Sequence, residues 1–62
     1  MNIMNIRRFK FVWRESYPEI IVVRVSFGGQ HLGELFFSVD DWEAVMSQFG
    51  SLPGCVIELE KD

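Results

Sequence analysis

The sequence is poor in the residues that cross-link very small folds. It has one cysteine, Cys55, which excludes an internal disulfide. It has one histidine, His31, which excludes a Cys/His zinc set. Long apolar runs are missing as well. The longest is residues 20–23, far short of the ~20 residues a membrane-spanning helix requires. The opening MNIMNIRRF lacks the apolar stretch of a signal peptide, so the expected location is cytoplasmic. Basic side chains are almost missing from the second half. Residues 1–30 carry Arg7, Arg8, Lys10, Arg14 and Arg24 against Glu15 and Glu19. Residues 31–62 carry Lys61 against Glu34, Asp40, Asp41, Glu43, Glu58, Glu60 and Asp62. The halves are therefore +3 and −6, within a net charge of −3.

A chain of 62 residues buries only about 60% of its unfolded surface. With no disulfide and no metal set, two supports remain. One is a dense core, for which the pattern offers about 18 inward apolar side chains. The other is self-association, so a homodimer is expected. Residues 1–62 read as one domain, with residues 1–6 expected to be disordered. The opening repeats the tripeptide MNI once, and no linker or low-complexity tract follows.

Phe9, Phe11 and Trp13 alternate with mostly charged residues over 8–14, the period of a half-buried strand. Residues 15–19 are turn material around Pro18. Residues 20–27 form a second, β-branched strand. Gly28-Gly29 then breaks the chain, and a third strand covers about 32–37. Register follows from keeping apolar faces together, because a slip of one residue reverses every face. A two-residue loop sets Val23 opposite Glu34. A three-residue loop, residues 28–30, sets Val23 opposite Leu35, Ile21 opposite Phe37 and Arg24 opposite Glu34, and is preferred. A five-residue loop keeps the same faces.

Ser38 suits a helix N-cap, and Asp40, Asp41 and Glu43 suit the positive end of the helix dipole. Trp42, Val45, Met46 and Phe49 follow the i, i+3, i+4, i+7 pattern of one apolar face. Gly50 is expected to end the helix in the C′ position, with Pro53 preventing continuation. Residues 55–59 form the last strand. The expected fold is a β-β-β-α-β domain of the α+β class, with a mainly antiparallel four-stranded sheet and one helix on one face. Strand 4 has two possible places, beside strand 3 or beside strand 1. Arg8 and Lys10 on strand 1 and Glu58 and Glu60 on strand 4 point outward, and opposite charges on neighbouring strands attract. Order 4-1-2-3 is therefore expected.

One helix covers one face of such a sheet. On the other, Val12, Val22 and Phe36 line up across three strands, with Ile20 and Leu32 nearby. This apolar stripe is bordered by charge, including Arg24 and Glu34. A solvated face normally reads more polar, so Val12, Ile20, Val22, Arg24, Leu32, Glu34 and Phe36 form the expected interface. Its occupant is expected to be a second copy or a partner protein. Tyr17, at a turn tip beside Pro18, is a candidate binding anchor. His31, beside the glycine turn, is a second candidate.

The sequence shows no catalytic constellation. His31 has no nucleophile paired with it by motif. Cys55 reads as a small packing residue at a strand start. The Asp40, Asp41 and Glu43 cluster lacks the alternating spacing of a calcium loop, so no metal or other cofactor is expected. Gly28-Gly29-Gln30 lacks the Lys-Ser/Thr of a phosphate loop. Alternation separates Phe9, Phe11 and Trp13 from Lys10 and Arg14, and the net charge is negative, so nucleic acid is an unlikely partner. The expected function is a non-enzymatic, homodimeric interaction protein that binds and modulates or inhibits another protein. Its size suits an accessory inhibitor from a virus or mobile element. The alternatives are a small-ligand or nucleic-acid-binding module, with a ligand near His31, Tyr17 and Trp13, or an acidic mimic of nucleic acid.

Overall fold

The computed structural model describes residues 6–61. The repeated opening, residues 1–5, and Asp62 lie outside the described residues. Strand β1 is Arg7–Arg14, β2 is Tyr17–Phe27 and β3 is Gln30–Ser38. A 3-10 turn, Val39–Asp41, leads into helix α1, Trp42–Gly50, and β4 is Cys55–Lys61. The fold is thus α+β, with the expected order of elements.

The sheet runs β3-β2-β1-β4, which is the order 4-1-2-3 read from the opposite edge. It is mixed rather than uniformly antiparallel. β1 pairs antiparallel with β2, and β2 with β3, while β4 lies parallel to β1. The parallel pairing has a topological cause. The helix carries the chain from one end of β3 back to the other, so β4 starts at the same end as β1.

The cross-strand charges fall as their signs dictate. Lys10 Nζ lies 2.9 Å from Glu60 Oε1, and Arg8 Nη1 lies 3.7 Å from Glu58 Oε1. Arg24 Nε donates to Glu34 Oε2 at 3.1 Å. Each of these three bases pairs with an acid on the adjacent strand, so part of the opposed charge of the two halves cancels across strands.

The β2–β3 register is the one that keeps like faces together, with Val23 opposite Leu35, Ile21 opposite Phe37 and Arg24 opposite Glu34. It is reached by a different route from a three-residue loop. The turn has only Gly28 and Gly29, with Phe27 opposite Gln30. Both glycines have positive φ, 60° and 85°, as a type I′ turn requires. The register then shifts between Val25 and Ser26, with Val25 facing Gly33 and Ser26 facing His31. Leu32 is the extra residue. A bulge therefore supplies the offset expected of a longer loop.

A second irregularity lies between Trp13 and Arg14. Arg14 faces Tyr17, so β2 begins at Tyr17 and includes Pro18 and Glu19, which the sequence pattern places in the turn. Trp13 Nε1 donates to the Pro18 carbonyl at 3.0 Å, fixing this bulged segment against β1.

Phe9, Phe11, Ile21 and Val23 are the buried centre of the core under α1. Trp13, Phe37, Val45, Phe49 and Ile57 are among the half-buried side chains packed around it. Only five hydrophobic side chains in the described residues are buried, four of them fully, so the core is leaner than the sequence pattern suggests. One nine-residue helix cannot roof four strands. Phe49 makes the ring contacts from the helix. Its ring stacks on Phe9 at a centroid distance of 4.6 Å and meets the edges of Phe11 and Phe37 at 6.0 and 6.4 Å. Such pairs contribute about 0.5–1.5 kcal/mol each beyond area burial.

The helix ends differ from the simple pattern. Ser38 Oγ accepts from the Asp40 backbone N–H at 3.3 Å and caps the 3-10 turn rather than α1. Gly50 is the last helical residue, and Ser51 is the C-cap. The left-handed glycine of this connection is Gly54, at φ 72°.

Candidate functional site

Alternation along each strand places Arg8, Lys10, Val12 and Arg14 of β1 on the face away from α1. It does the same for Ile20, Val22 and Arg24 of β2 and for Glu34 and Phe36 of β3. Val12 stands opposite Val22, and Val22 opposite Phe36, so one apolar row crosses three strands. A row of charge lies beside it. Glu34, Arg24, Lys10 and Glu58 follow one another across β3, β2, β1 and β4. The acids occupy the two edge strands and the bases the two central strands. The three ion pairs given above all lie on this face.

A shallow groove of about 370 Å³ opens on this face. It is lined by Val12, Arg14, Tyr17, Ile20, Val22, Arg24, Glu34 and Phe36. Six of the seven residues expected at the interface therefore converge: Val12, Ile20, Val22, Arg24, Glu34 and Phe36. Tyr17 joins them. It is brought over the groove by the bulge that sets it opposite Arg14. Tyr17 and Phe36 are 68% and 66% exposed and form the two aromatic walls. Val12 is only 1% exposed. It is the floor of the groove and offers a partner little area.

Leu32 does not line the groove. It is the bulge residue near the Gly28-Gly29 turn, exposed on its own. His31 faces Ser26 at that same end of the sheet. Tyr17 lies at the opposite end of β2, so the structure does not bring His31 together with Tyr17 and Trp13. Arg14 is the lining residue that the sequence reading left out of the interface. The alternation Lys10, Val12, Arg14 already placed it on this face.

Electrostatics support a surface of paired rather than free charge. Glu60 titrates below its ordinary value of 4.5, chiefly because the Lys10 ammonium hydrogen-bonds to its carboxylate and attracts it electrostatically. Among the described residues, no three His, Cys, Asp or Glu side chains converge as metal ligands. No helix among them is long and apolar enough to cross a membrane.

A second recess, about 360 Å³, lies on the helix side at the far end of the sheet. Trp13, Pro18, Ile21, Val39, Trp42, Leu59 and Lys61 line it. Lys61 Nζ sits 5.9 Å from the centroid of the Trp13 ring, within cation–π range. This recess is the uncovered margin of the core beside the start of the short helix. No family model, characterised protein or solved structure matches the chain.

Proposed function

We propose that this chain is a non-enzymatic interaction module that docks another protein on its open sheet face, acts as a homodimer and modulates or inhibits the protein it binds. The groove carries this reading. It joins two exposed aromatic side chains to an apolar floor and carries the Arg24–Glu34 ion pair on its rim. Tyr and other large rings supply contact area at low entropic cost, and hot spots concentrate at such anchors. Arg24 and Glu34 cancel as a pair on that rim, so docking over them does not bury a lone charge. The partner that fits is an apolar ridge with polar flanks. Affinity capture from host extract tests the reading with wild-type protein and Tyr17→Ala. The wild type is expected to retain a stoichiometric partner, and Tyr17→Ala to weaken that capture at least tenfold without a change in melting. Equal capture by both counts against the groove.

A second reading has one observation in its favour. Arg8, Lys10, Arg14 and Arg24 share the open face with Tyr17 and Phe36, the ingredients of a single-strand nucleic-acid platform. Against it, Glu58, Glu60 and Glu34 pair with three of those bases. A labelled oligothymidine separates the readings. Binding that falls steeply with added salt supports the nucleic-acid platform, and no binding at low salt removes it.

A further inference from the structure

The two edges of the sheet differ in how well they resist another strand. β4 carries Glu58, Glu60 and Lys61 within its seven residues. Charged side chains along an edge discourage strand addition. β3 has Glu34 as its one formal charge in nine residues, with no proline and no lysine. It leaves Leu35 and Phe36 exposed, at 44% and 66%. The bulge at Leu32 protects its turn end. Residues 34–38 pair regularly with β2, and no other described strand lies on their outer side.

We propose that β3 pairs antiparallel with β3 of a second copy, about a two-fold axis at Phe36. A two-fold normal to the sheet keeps both helices on one side, so it must be centred on a residue. Centred on Glu34, it opposes two carboxylates. Centred on Leu35, it sets Glu34 against Phe36. Centred on Phe37, it leaves only residues 36–38 to pair. Centred on Phe36, it sets Phe36 against Phe36, Leu35 against Phe37 and Glu34 against Ser38, with no like charges opposed. Aromatic pairs directly across an antiparallel ladder are favourable. The pairing also completes the groove's surroundings. On one copy the row Val12, Val22, Phe36 stops at the sheet edge, and the second copy continues it through its own Phe36 and Val22. The use of that joined row rests on the open-face reading, whereas the pairing itself does not.

The test combines sedimentation velocity with cysteine cross-linking in a Cys55→Ser background. Directly opposed Cβ atoms lie roughly 4.5–5.5 Å apart, so oxidised Phe36→Cys is expected to run as a covalent dimer. Glu34→Cys is not, because the two copies of residue 34 are offset by four positions, about 13 Å along the strand. Phe36→Lys, at a site exposed enough to tolerate it, is expected to halve the sedimenting mass. Ile20→Asp, which alters the groove but not the edge, is expected to leave the mass unchanged. The pairing is overturned if wild-type protein is monomeric at high micromolar concentration. It is also overturned if Ile20→Asp halves the mass, or if Glu34→Cys cross-links in preference to Phe36→Cys. Loss of partner capture by Ile20→Asp at unchanged mass leaves the pairing intact and reports on the groove alone.

Discussion

The two faces of this sheet use apolar side chains for different ends. Under α1, Phe9, Phe11, Ile21 and Val23 are buried and meet Phe49 from the helix. On the open face, Val12 is buried and Val22 partly so, but the large side chains beside them, Tyr17, Ile20 and Phe36, stand in solvent. Both faces contain a contiguous apolar row, and among the described residues only one has a cover. The difference teaches that hydrophobicity alone does not mark the core. What marks it is a second element packed over the sheet, and the described residues provide one, α1.

The comparison is broken most severely on the helix face. Phe11→Ala removes a fully buried ring and is expected to cost about 3–5 kcal/mol in chemical denaturation. Tyr17→Ala, on the exposed face, is expected to change stability by no more than about 0.5 kcal/mol. Comparable losses at both positions would mean that the open face is structural.

The connections give the next largest effects. Gly54→Ala forces a Cβ into the left-handed region at φ 72° and is expected to cost about 1–2 kcal/mol. Gly50→Ala is the counterpart. Gly50 is helical, and an added Cβ would meet Ile57 Cγ1 at 3.9 Å, an ordinary contact. It is expected to stabilise the protein by about 0.5–1 kcal/mol in the same assay. The opposite signs distinguish the two glycines, only one of which needs to be glycine.

The smallest effect concerns the open face alone. The pKa of Glu60 is lowered by Lys10, so the pair favours the folded state while the carboxylate is ionised. That contribution is present above the ordinary value of 4.5 and fades as pH falls through the lower folded value. In Lys10→Met the Glu60 carboxyl is expected to titrate closer to its ordinary value, as followed by carbon-detected NMR. An unchanged titration would show that Lys10 does not hold it.

Much of this was legible in the residues. Alternation placed Phe9, Phe11 and Trp13 on one side of β1, and the signs of Arg8, Lys10, Glu58 and Glu60 placed β4 beside β1. Face matching gave the β2–β3 register. The bulges were not legible. Leu32 looks like any strand residue, and only the geometry of a two-residue glycine turn makes it the inserted one. The same holds for the segment from Tyr17 to Glu19. Its proline reads as a turn signal, yet its carbonyl anchors Trp13 and carries Tyr17 over the groove. Gly50 misled because glycine commonly ends helices, whereas here Gly54 takes the left-handed conformation. The groove's floor and β3 wall were thus readable from period two, and its Tyr17 wall was not.

The most direct test of the division between the faces is a binding titration of wild-type protein and Ile20→Asp against the captured partner, at equal folded fraction by circular dichroism. The division predicts that Ile20→Asp melts within a few degrees of wild type and binds at least tenfold more weakly. Undiminished binding by a folded Ile20→Asp protein would contradict it.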